Sequence, residues 1–130
     1  MPRNARFLIA LMSAASLLFV ATGAALANDA VVKGAKASAN GDGTYSFTVT
    51  VSHADTGWKH YADKFEVLDM NGKVLGTRVL YHPHENEQPF TRSLGRVQIP
   101  IGITEVRVRA HDKVHGDGKT TFPVKLPPRR

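Results

Sequence analysis

The chain has 130 residues with no Cys, 17 Lys and Arg against 11 Asp and Glu, six His, and 42% hydrophobic residues. These counts allow one small domain and exclude a disulfide scaffold, a thiolate metal centre and a Cys nucleophile. The formal charge of +6 is spread along the chain rather than clustered on one aromatic-bearing element, which argues against a nucleic-acid binder.

The first element in chain order is a targeting segment. Arg3 and Arg6 precede an apolar run from Phe7 to Val20, and Ala25-Leu26-Ala27 has the small-x-small form of a cleavage site before Asn28. Residues 1–27 are therefore expected to be a secretory signal peptide, and residues 28–130 a single β-sandwich domain with no membrane span after cleavage. A retained anchor is the competing reading, because the apolar run can just cross a bilayer. Without a Cys after the run, a bacterial lipid anchor is ruled out. The location implied is periplasmic or secreted.

The rest of the chain has a period of two. Tyr45, Phe47, Val49 and Val51 alternate with Ser46, Thr48, Thr50 and Ser52, and Val106, Val108 and Ala110 alternate with Arg107, Arg109 and His111. Such runs suit strands covered on one face. Turn signals divide them: Gly41-Asp42-Gly43, Asn71-Gly72, Pro100-Ile101-Gly102 and Gly116-Asp117-Gly118. The predicted strands cover about 30–39, 44–53, 61–70, 73–82, 90–99, 104–112 and 119–126. Seven short strands without a helical stripe imply an immunoglobulin-like (fibronectin III-like) antiparallel sandwich, with a small closed barrel as the alternative.

If consecutive strands reverse direction, each His can be assigned to one end of the sandwich. His53 closes the second strand and His60 precedes the third; His82 and His84 follow the fourth; His111 ends the sixth and His115 lies just beyond. All six fall at one pole, with Trp58, Glu85, Glu87, Asp112 and Asp117, while Met70 falls at the other. Loops gathered at one end are where a rigid scaffold carries its function.

His82-Pro83-His84 is the leading pair. Pro83 holds His82 extended, and residues two apart in extended chain share a face. His111 and His115, with Glu85, Glu87 or Asp112 as an oxygen donor, complete a candidate ligand set. Nitrogen and oxygen donors without thiolate suit Cu(II), Zn(II) or Ni(II) and disfavour Cu(I). His53 and His60, taken singly, read better as hydrogen-bonding residues, although both remain candidate ligands. Trp58 reads as a core or rim aromatic. Arg129-Arg130 after two prolines reads as a frayed tail.

Catalytic patterns are weaker. Ser52-His53-Ala54-Asp55 contains triad residue types, but strand neighbours face opposite ways and no nucleophile elbow is present. Glu85 and Glu87 sit in a short loop without a sugar cleft, and Asn40 to Gly43 lacks the acids of a calcium loop. The expectation is a protein that is not an enzyme.

Three stretches, Trp58 to Val67 (WKHYADKFEV), Leu75 to Leu80 (LGTRVL) and His82 to Arg92 (HPHENEQPFTR), resemble a group of small uncharacterised exported proteins of Gram-negative bacteria. The likeness spans roughly residues 44 to 126 and implies export but no activity. Two functions follow. One is a periplasmic protein that binds a copper or zinc ion through His82, His84, His111, His115, His60 and His53. The other is an interaction or envelope accessory module whose surface carries Trp58, Glu85, Glu87, Phe90 and Arg92.

Overall fold

A computed structural model describes residues 29–130, and the signal-peptide reading of 1–27 lies outside them. Eight strands follow in order: β1 (Val31–Ala39), β2 (Thr44–Ser52), β3 (Ala62–Leu68), β4 (Val74–Val79), β5 (Phe90–Gln98), β6 (Glu105–Asp112), β7 (Gly116–Asp117) and β8 (Phe122–Lys125). All their pairings are antiparallel. One sheet has the order β1-β2-β5; the other runs β4-β3-β6, with β7 and β8 both paired to β6. The described residues are all-β and form an antiparallel sandwich whose strand order is of the immunoglobulin-like, fibronectin III-like kind, as the period of two implies.

The two inner faces build one core. Tyr45, Phe47, Val49 and Val51 of β2 meet Phe65 and Val67 of β3 and Val106, Val108 and Ala110 of β6, and all are buried. These are the side chains that alternate with hydroxylated or charged neighbours in the sequence. Each large one contributes about 1.5 to 3 kcal/mol by leaving water.

The last predicted strand, 119–126, is shortened to β8, and the predicted turn at 116–118 holds the extra short strand β7. Gly116 and Asp117 already pair with Asp112 and His111, whereas Phe122 to Lys125 pair with Val108 to Glu105. The interruption sits where Gly118 packs against Ala30, just before β1: a Cβ there would lie 2.3 Å from the Ala30 carbonyl oxygen. A consequence concerns the histidines. The reversal after β6 occupies 113–115 rather than 116–118, which folds His115 back over Asp112.

The pole assignment holds. Phe90 pairs opposite Val51 and Asp112 opposite Ala62, so the loops after β2, β4 and β6 share one end. The opposite end carries the Asn71-Gly72 turn and a docked C-terminus. Arg129 is not frayed: its guanidinium donates to the carbonyls of Gly43, Ile99 and Pro100 and lies over the Tyr45 ring.

Candidate metal centre

Two buried carboxylates organise the histidine pole. Asp55, just after β2, accepts from the Ala62 amide (3.0 Å) and the His84 amide (2.7 Å), and its Oδ1 lies 2.6 Å from His53 Nδ1. One side chain thereby ties the end of β2, the start of β3 and the loop after β4. Gln88 adds a staple, accepting from the His53 amide and donating to the His84 carbonyl. Neither the His53 nor the Asp55 side chain touches solvent.

Asp112, the last residue of β6, is wholly buried. Its Oδ1 accepts from the amides of Val114 (2.8 Å) and His115 (2.7 Å), the local pattern by which an aspartate sets a turn. Burial pushes its pKa up, but those two amides and the nearby His53 and His115 rings bring it below the ordinary carboxylate value. Asp112 is therefore a buried anion at neutral pH.

Imidazoles surround that anion. His53 Nε2 lies 3.6 Å from Oδ2, His60 Nε2 3.5 Å from Oδ1, and His115 Nδ1 3.3 Å from Oδ1. The ring centroids of His53 and His60 are 4.8 Å apart, and those of His60 and His115 are 5.0 Å apart. His60 is delivered by a tight turn in which Gly57, at φ 119°, takes a conformation that only glycine adopts readily. Ligand atoms of His53, His60 and Asp112 all lie within 4.8 Å of one another.

Two of these atoms have no hydrogen-bond partner although both are buried: Asp112 Oδ2 and His60 Nε2. A buried polar atom left unpaired costs about 1 to 3 kcal/mol. Both belong to the residues whose ligand atoms lie within 4.8 Å of one another. His53 Nδ1 lies 2.6 Å from Asp55 Oδ1 and its Nε2 lies 3.6 Å from Asp112 Oδ2, and a carboxylate that orients an imidazole in this way is the usual partner of a metal-bound histidine.

The other candidates are distributed differently. His111 is 2.6 Å from Asp63 and stands apart from the cluster around Asp112. His82 is exposed, and His84 is buried with its ring stacked on Phe90, centroids 4.0 Å apart. Phe90, expected at a binding surface, is instead a core residue, because it begins β5 on the inward parity of Val51. Glu87 is engaged by Arg92 at 2.9 Å, and Glu85 is exposed. Trp58 is 64% exposed, with its edge against Tyr61. Ligand atoms of His53, His60 and Asp112 gather within 4.8 Å of one another with His115 beside them, while the His82 and His84 rings lie 4.7 Å apart between centroids. Asp55 and Asp63 are the carboxylate partners of His53 and His111; the sequence drew attention to Asp55 only as a triad residue type and gave no signal for Asp63.

Comparison with known proteins gives one informative likeness. Over 72 residues, 55% of this chain, it is 46% identical to a protein of the archaeon Halomicrobium mukohataei named "Putative lipoprotein". The chain spans about a third (35%) of that relative's length. The likeness thus reaches outside the Gram-negative bacteria of the resemblance above, and this chain has no Cys to carry a lipid. No family model matches, and no solved structure does. Among the described residues, no helix is long and apolar enough to cross a membrane.

Proposed function

We propose that this is a small exported β-sandwich protein that binds one divalent transition metal ion, copper or zinc, between His53, His60 and Asp112, with His115 as a fourth donor. The observation carrying this reading is the pair of buried atoms without a hydrogen-bond partner, Asp112 Oδ2 and His60 Nε2, on residues whose ligand atoms, with that of His53, lie within 4.8 Å of one another. Unprotonated imidazole nitrogens and carboxylate oxygens both offer lone pairs, so a cation bound among them would satisfy them together. Around zinc, ligands at 2.0 to 2.1 Å lie about 3.4 Å from each other in a tetrahedron. Small side-chain rotations bring a 4.8 Å set to that spacing.

The reading is of a binding protein, not an enzyme, since capture of the ion needs no chemical step. Export follows from the signal-like first 27 residues and agrees with the name of the archaeal relative. Zn(II) and Cu(II) titration of the purified protein at neutral pH tests it. Stoichiometric, micromolar or tighter binding that His60→Ala and Asp112→Asn each weaken at least tenfold is the expected result. Affinity unchanged in both variants would overturn it.

A second reading rests on Trp58, whose indole is 64% exposed in the loop that delivers His60. A large aromatic in water beside the pole suits an envelope protein partner. Weak metal binding together with a partner captured by the wild type and lost in Trp58→Ala would favour it.

A further inference from the structure

We infer that the pole holds a second, weaker metal site, formed by His82 and His84 and separate from the one around Asp112. The rings of these two residues lie 4.7 Å apart between centroids, inclined at 40°. The His84 side chain is only 4% exposed, yet neither of its ring nitrogens has a hydrogen-bond partner. Its backbone is fully engaged, through its amide to Asp55 and its carbonyl to Gln88, so the unpartnered atoms belong to the ring alone.

The surroundings prepare that ring as a ligand. Stacking on Phe90 at 12° between planes fixes its orientation. His82, exposed on the solvent side with its Nδ1 3.2 Å from the Pro83 carbonyl oxygen, supplies a second imidazole beside it. Glu87 acts electrostatically on both rings and offsets the charge of an entering cation while Arg92 holds it in place.

Two imidazoles with water completing the shell favour Cu(II) over Zn(II), following the order of divalent affinities. The two sites are adjacent but distinct: Asp55 Oδ1 faces His53 while Oδ2 holds the His84 amide and lies 3.9 Å from His84 Nδ1. This site does not depend on the one proposed above, because it shares none of its ligands.

Calorimetric titration of the purified protein with Cu(II) at pH 7.5 tests the inference, using His82→Ala because that side chain is exposed and its loss leaves the core intact. The wild type is expected to take up two equivalents, His82→Ala one with the tighter affinity preserved, and His60→Ala one with only the weaker affinity. Two equivalents retained in His82→Ala would overturn the inference. So would loss of both equivalents in His60→Ala. One equivalent lost in His82→Ala but unaffected by His60→Ala would uphold this site and refute the one around Asp112.

Discussion

His53 Nδ1 and Asp55 Oδ1 lie 2.6 Å apart, and neither side chain reaches solvent. The contact connects two levels of the molecule. The same carboxylate that orients the imidazole also accepts from the amides of Ala62 and His84, so the geometry of the site and the packing of the loops depend on one residue.

Asp55→Ala is therefore expected to lower stability and metal affinity together. It strands two buried amides and one imidazole N–H, at about 1 to 3 kcal/mol for each group left unpaired. Urea unfolding and zinc titration of the same preparation check it. A variant with wild-type stability would show that Asp55 does not join the loops.

Asp112→Asn separates the two properties. The amide oxygen can still accept from the Val114 and His115 amides, and its NH2 can donate to an imidazole. Stability of the metal-free protein is expected to stay within about 1 kcal/mol of wild type, while metal affinity falls at least tenfold. Loss of stability without loss of affinity would assign Asp112 a purely structural role.

Acid should weaken the fold through His84. Its folded pKa lies below the ordinary 6.5, chiefly because burial disfavours the charged ring, with Arg92 and His82 adding to the effect against Asp55 and Glu87. The unfolded chain then binds this proton more readily, so stability rises with pH. Its contribution is complete above about pH 6.5 and is lost progressively below, down to the folded pKa. Denaturant midpoints at pH 7.5 and 5 should converge in His84→Phe relative to wild type. At pH 7.5 that variant should be no less stable, since it removes two unpartnered nitrogens from an apolar stack. An unchanged pH dependence would show that other groups dominate it.

Gly118→Ala tests the join between the sheets. Its Cβ would meet backbone oxygens of both Ala30 (2.3 Å) and Ala110 (3.2 Å), and neither can rotate away. A loss of about 3 kcal/mol is expected from such overpacking, visible as a lowered thermal midpoint. A midpoint near wild type would mean that β1 can move off this edge at little cost.

Much of this architecture was legible in the residues. Alternation along β2 and β6 announced a sandwich because a strand covered on one face must repeat every two residues, and the Asn71-Gly72 turn announced its hairpin because those residues tolerate the backbone that a tight turn needs. Where alternation was weak, as in β4, the strand proved shorter than predicted, and the break between β7 and β8 was invisible because its cause is the approach of Ala30, far away in the chain.

The site divides along the same line. The sequence by itself determined that the centre, if built, uses nitrogen and oxygen donors, since there is no Cys, and that all six histidines share one pole, since strand direction alternates. Tertiary structure decided which of them converge. His82 and His84 meet through local spacing, with ring centroids 4.7 Å apart, one in water and the other on Phe90, whereas His53, His60 and Asp112 come together from three separate segments. Local spacing reports which side chains share a face of one strand. Convergence on a buried point is set by how strand ends and loops pack against one another, and here that packing is held by the hydrogen bonds of Asp55 and Asp112.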